Sequence, residues 1–372
     1  MAIDRKLDEW QAAGLIDAAT AQAILAHEAD ASRPIALWAT IGIGLFALAL
    51  GLVLIVAAGW DMIPTGVKLG VHWAMMAAAA AVVWQAQRQQ RRWLGEGALF
   101  LLAALVLAGI ALQGQIYQVT SPVWQALGWW ALLATPAILV AGHTRLTAYG
   151  WAAMMGLLAL TCVADSTLSQ RLTEAARDNL PVALPPTLIL TAVLLHGRAS
   201  DEFADGVREA GLAFLLGGAS IAHFGWAVTV TSFDAAAMAM RLPIGIAVVA
   251  VTVLLANRLG AGAARVVRIS LVAAATAVLL AAAIPHADAL APRLFGAFVY
   301  FGMWGAIAKG AYDSGWRVLF GIAIGMIALR LFIVYIELFG GLALTGIGLI
   351  IGGLLLIGLA VGWTKLMRRA PA

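Results

Sequence analysis

Cysteine is almost absent from this 372-residue chain: Cys162 stands alone, so no internal disulfide can form and no redox framework exists. Charge is scarce as well. Asp, Glu, Lys and Arg make up 11% of the residues, against about 25% in an average soluble domain. These shortages exclude a soluble globular enzyme, a disordered chain and a disulfide-stapled scaffold. What is abundant is apolar: 63% of residues are aliphatic, aromatic, Met or Cys, and the mean hydropathy is +0.94. The composition fits an all-α, polytopic transmembrane helix bundle.

A hydrocarbon core about 30 Å thick takes roughly 20 helical residues per crossing. Apolar runs separated by charged or Pro/Gly breaks predict about twelve spans. They are Ile35–Ala58, Val67–Ala86, Gly97–Tyr117, Val123–Ala141, Leu146–Ala164, Val182–His196, Glu209–Val230, Leu242–Asn257, Val266–Ile284, Leu290–Ala308, Trp316–Leu338 and Leu342–Trp363. The polar start and the length of the first run exclude a cleaved secretory signal. Residues 1–34 read as a cytoplasmic helical hairpin, and 35–372 as the bundle. In the hairpin, Gly14 stops a first helix and Asp17 caps a second that runs to about Glu28. So short a segment cannot bury a stable core alone; it reads as a lid on the spans or a docking site for a partner.

With the N-terminus cytoplasmic, 17 of the 23 basic residues fall on the inner side and 5 on the outer. The formal charges are then +5 inside and −2 outside, as the positive-inside rule requires. The basic balance, a pI of about 9.5, is therefore a topology signal and not a nucleic-acid footprint. Both termini are expected in the cytoplasm.

Four segments carry a resemblance. They are L-D-E-W-Q-A-A-G-L-I-D-A-A-T-A-Q-A-I-L (Leu7–Leu25), A-A-G-W-D-M-I-P (Ala57–Pro64), E-G-A-L-F-L-L (Glu96–Leu102) and I-A-L-Q-G-Q-I-Y-Q-V-T (Ile110–Thr120). The first 165 or so residues resemble the bacterial predicted membrane proteins grouped as domain-of-unknown-function family 2157, whose pattern has Asn in place of Gly59. Residues 166–372 resemble it only in layout: further spans, an Arg-bearing helix, a Gly-rich last helix and a basic tail. The resemblance implies a helical fold and a bacterial inner membrane, and it brings no activity, substrate or cofactor. The run E-G-A-L-F-L-L at Glu96 also echoes E-A-G-L-A-F-L-L at Glu209, as a parallel duplication would.

Candidate chemistry gathers toward the outer half of the spans. Arg330 falls just past the midplane, where a charge costs about 2.5–3.5 kcal/mol on insertion scales. It should face the bundle interior and meet an acid or amide, with Asp61, Gln113 and Gln115 as candidate partners. Glu337, on nearly the same face, is about 10.5 Å further along the helix, too far for direct contact. The run Gln113, Gln115, Tyr117 and Gln118 offers amide donors and acceptors, either for a polar solute or for interhelical contacts. Asp61, Lys68 and His72 are spaced for turn capping or for proton transfer, and His223, the deepest histidine, reads as a hydrogen-bonded packing residue or a proton relay. Gly321/Gly325, Gly348/Gly352 and Gly358/Gly362 form GxxxG pairs that suit close helix packing or a homodimer.

No Walker loop, G-x-S-x-G, H-E-x-x-H or C-x-x-C is present, and no histidine pairs with another at metal-ligand spacing. Catalytic, metal and cofactor sites are therefore not expected. Two readings remain. One is a secondary transporter with an outer-facing polar vestibule lined by Arg330, Glu337, Asp61, Gln113, Gln115, Tyr117 and Gln118, taking a small polar or anionic solute. The other is a membrane scaffold or sensor that couples this pocket to the cytoplasmic hairpin.

Overall fold

The computed structural model describes residues 6–7, 10–31, 62–165, 174–197, 201–228, 243–283, 290–339, 350, 353–354 and 357–358. The expected first span, Asp61, His286, Gly348, Gly352 and Gly362 lie outside these residues, as do the side chains of His27 and Glu337. The chain divides into two compact units, Met1–Gly70 and Val71–Ala372.

In the first unit, Gly14 adopts φ +71°, and Leu15 N–H donates to Trp10 O while Gly14 N–H donates to Gln11 O. This pair of bonds is a Schellman ending, which glycine enters without the Cβ penalty of the left-handed region. Asp17 Oδ1 then accepts from Thr20 N–H at 2.7 Å and caps α1, Ala18–Ala31. Both features are those that the sequence predicts.

The helices that follow are α2 (Thr65–Arg88), α3 (Arg92–Ile116), α4 (Val123–Ala141), α5 (Arg145–Ala164), α6 (Glu174–Leu195), α7 (Asp201–Val228), α8 (Pro243–Leu255), α9 (Ala261–Ala283), α10 (Leu290–Asp313) and α11 (Arg317–Phe339). Among the described residues, seven helices are long and apolar enough to cross a membrane, those containing α2, α3, α4, α5, α9, α10 and α11. Val182–Leu195 and Pro243–Arg258 are shorter apolar helices.

Within the second unit α7 is the spine, packing against α5, α6, α9 and α10. Glycines admit two of these neighbours, α5 and α6. An alanine at Gly206 would place its Cβ 2.8 Å from Ala148 Cβ and 2.9 Å from Arg145 Cα, and one at Gly211 would meet Ile189 at 2.8 Å. Around the spine lie three apolar clusters. One joins Leu99, Ile138, Trp151 and Phe203; a second joins Ile189, Val193, Val267 and Leu271; a third joins Tyr300, Met303, Trp304 and Phe320.

Helix ends differ from the hydropathy reading where charge is involved. The helix expected from Glu209 begins at Asp201, because Asp201 and Glu202 in its first turn suit the positive end of the helix and basic side chains cover the turns that follow. Pro136 is accommodated inside α4, where the neighbouring Thr135 Oγ1 accepts from Trp151 Nε1–H at 3.0 Å. Of the expected GxxxG glycines, Gly325 and Gly358 are exposed, and an added Cβ at either meets nothing within 4 Å.

Candidate functional site

Among the described residues, Arg330 is the largest fully buried side chain, at 1% exposure. It sits thirteen residues along α11 from Arg317, about 20 Å from that end of the helix. Tyr300 lies thirteen residues before Asp313 on the neighbouring α10, and so reaches the same level. Arg330 acts electrostatically on Tyr300 and on His223 of α7. The His223 and Tyr300 rings are 5.2 Å apart between centroids, and Tyr300 and Trp304 are 6.4 Å apart. Trp304 Nε1–H donates to Ser220 Oγ at 3.3 Å, one turn from His223. The His223 ring also reaches the backbone of Gly296. All five side chains are almost wholly removed from the surface.

The cluster therefore combines a guanidinium, an imidazole, a phenol, an indole and a hydroxyl at one depth. In water-free surroundings such groups interact strongly, and each must be satisfied. Every member except the imidazole and the two hydroxyls can only donate. The arrangement can hold negative charge or a strong acceptor.

The other sequence candidates lie elsewhere. Gln113, Gln115, Tyr117 and Gln118 are exposed at the end of α3, where Gln118 Nε2–H donates to Gln115 O at 2.7 Å. The helix α3 packs on α4, whereas α11 packs on α10. His72 is buried on α2 with its ring over Gly109; a Cβ there would come 2.5 Å from His72 Nε2. Sequence reasoning misses Ser220, Tyr300 and Trp304. Their one sequence signal is the spacing of Ser220 and His223, three apart on one helical face.

A second polar centre lies near the start of α3. Glu96 is buried, and its Oε1 accepts from His143 N–H at 2.5 Å. Its Oε2 accepts from Thr144 Oγ1–H at 3.0 Å and from the hydroxyl of Thr147. Thr144 Oγ1 in turn caps α5 by accepting from Thr147 N–H at 3.3 Å. Three donors thus satisfy the carboxyl oxygens at low exposure. Beside it, Arg92 bonds His143 O at 2.9 Å and pairs with Glu202 of α7. Further along, Arg145 lies 3.5 Å from Glu209 and Arg208 lies 2.6 Å from Asp205. Glu96 and Glu209, the two acids of the sequence echo, thus both hold the first turns of α5, since Tyr149 O–H donates to Glu209 at 2.5 Å. Among the described residues, no three His, Cys, Asp or Glu side chains are grouped to hold a metal.

Fold and site together define a multi-pass α-helical membrane protein with a buried polar cluster. Residues 8–147, which include the Glu96 centre, match the family model described as Predicted membrane protein, domain of unknown function 2157. This is the family that the head and first spans resemble, and the match ends at the first turn of α5. No curated protein and no solved structure matches the chain.

Proposed function

We propose that the protein is a secondary transporter of the bacterial inner membrane, with both termini cytoplasmic, that carries a small anionic solute past Arg330. The carrying observation is the concentration of Arg330, His223, Tyr300, Trp304 and Ser220 at one depth between α7, α10 and α11. An ionisable group at mid-membrane is costly and marks a solute or proton path by default. A carrier would hold this nearly buried cluster closed from both sides at one stage of its cycle. The charge asymmetry of the loops supports the orientation.

The competing reading is a static scaffold or sensor. It draws on the Glu96 centre and the ion pairs of Arg92, Arg145 and Arg208, which tie α3, α5 and α7 together. Accessibility separates the two without knowledge of the solute. In a Cys162→Ala chain, Ser220→Cys should react with a membrane-impermeant methanethiosulfonate from outside in whole cells, and from inside in inverted vesicles. Gln89→Cys should react only in inverted vesicles. A Ser220→Cys chain that stays unlabelled from both sides would remove the carrier reading and leave the scaffold; outside labelling of Gln89→Cys would overturn the topology.

A further inference from the structure

Two cavities outside the Arg330 cluster meet at Arg268. The first, about 470 Å³, is mixed in lining and carries two arginines: Asn257, Arg265 and Arg268 face it together with apolar residues such as Leu259 and Ala264 around the start of α9. The second, about 610 Å³, is an apolar groove between α9 and α10, and Arg268 and Ile269 line both. The groove runs from Arg268 to Leu280, twelve residues or about 18 Å along α9. That is close to half of a hydrocarbon core about 30 Å thick, the depth of one leaflet. Its walls are exposed apolar side chains, among them Val272, Leu280 and Phe298, the last at 72% exposure. Its floor at Gly302 is open, and an added Cβ would meet nothing within 4 Å. Arg268 is held at the junction by two contacts: Nε–H donates to Val253 O at 3.2 Å, and an Nη donates to Asn257 Oδ1.

We propose that this composite groove is a binding site for an anionic phospholipid, with the phosphate between Arg265 and Arg268 and one acyl chain laid along α9 and α10. Charge and length both argue for this occupant. A guanidinium pair at the mouth matches a phosphodiester, which Arg recognises through paired N–H donors. Basic pockets between membrane helices at the cytoplasmic side take anionic headgroups in this way. An apolar trough one leaflet deep matches the tail. The site is separate from the Arg330 cluster and does not depend on a transport function.

The test is native mass spectrometry of the full-length protein in detergent, titrated with dioleoyl phosphatidylglycerol or dioleoyl phosphatidylcholine. The parent should retain the anionic lipid at lower concentration than the zwitterionic one. Arg265→Gln, at an exposed position, should weaken phosphatidylglycerol retention about fivefold and bring it toward that of phosphatidylcholine. Gly302→Leu should displace both lipids by filling the trough. Arg88→Gln, an exposed arginine outside the groove, should behave as the parent. Equal retention of the two lipids by the parent, or parent-like retention by both groove variants, would overturn the proposal. So would a dimer mass that Gly302→Leu converts to monomer, since it would assign the groove to a second copy of the chain.

Discussion

Replacing Gly206 by alanine drives a methyl group into the crossing of α5 and α7. The new Cβ would stand 2.8 Å from Ala148 Cβ, 2.9 Å from Arg145 Cα and 3.2 Å from Arg145 O. Carbon atoms prefer about 3.5–4.0 Å, so α5 and α7 must part by roughly 0.7 Å or more. Two of the three obstructing atoms are backbone, and a rotamer change cannot relieve them. Overpacking of this kind costs about 1–3 kcal/mol. The gain in helix propensity on losing a glycine offsets about 1 kcal/mol of that. The same separation stretches the pairing of Arg145 with Glu209 across the interface, which places the cost near the upper end. A net loss of about 2 kcal/mol follows. Gly218 on the same helix supplies the control, because an added Cβ there meets nothing within 4 Å. Gly218→Ala should stabilise by about 0.5–1 kcal/mol, leaving the two variants about 2.5–3 kcal/mol apart. Thermal unfolding in detergent, followed by far-ultraviolet circular dichroism, reads the order: Gly218→Ala above the parent, Gly206→Ala below it. A Gly206→Ala protein as stable as the parent would refute the claim that glycine is needed for this approach.

Three further outcomes are expected. Glu96→Ala leaves His143 N–H and the Thr144 and Thr147 hydroxyls without their acceptor, and should destabilise by about 3–5 kcal/mol; Glu96→Gln, which keeps an acceptor oxygen, should lose less in the same unfolding assay. Gln90 ends α2 at φ +56° in a Schellman arrangement, with Arg91 N–H donating to Ala86 O, so Gln90→Gly should stabilise by about 1 kcal/mol and Gln90→Val should do the opposite. The hydrogen bonds from Thr20 hold the Asp17 carboxyl below the usual carboxylate range. Its contribution to the α1 start is thus complete above the unfolded value, about 3.9, and is lost as pH falls through the lower folded value. Protection of the peptide covering residues 17–24, its hydrogen-exchange rate taken relative to the intrinsic rate at each pH, should fall below about pH 4 in the parent. In Asp17→Ala that protection should already be low at pH 7, and parent-like protection there would show that the cap is idle.

What could be read from the sequence was whatever depends on near neighbours along the chain. Gly14 and Asp17 act within five residues of themselves, so the turn between the head helices and the start of α1 are legible in the order of residues alone. Apolar run length, measured against the thickness of a bilayer, likewise locates the helices, and short segments of the head and first spans carry the family resemblance. Where charges sit at helix starts, hydropathy stops short. The first turn of α7 carries Asp201 and Glu202, and Glu202 pairs with Arg92 from more than a hundred residues away. Burial of Arg330 is also legible, since a guanidinium near the midplane cannot face lipid cheaply. Its neighbours are not. Whether they come from the exposed Gln113 and Gln115 or from His223 and Tyr300 depends on which helices lie side by side, and apolar helices of similar length carry little local record of their partners. Glycines decide that pairing: Gly206 and Gly211 admit α5 and α6 to the spine, and only in three dimensions is it seen which glycines meet a neighbour and which, like Gly218, face open space. The same holds for Glu96, an unremarkable acid at the head of an apolar run until packing brings the turn at His143 and Thr144 over its carboxylate.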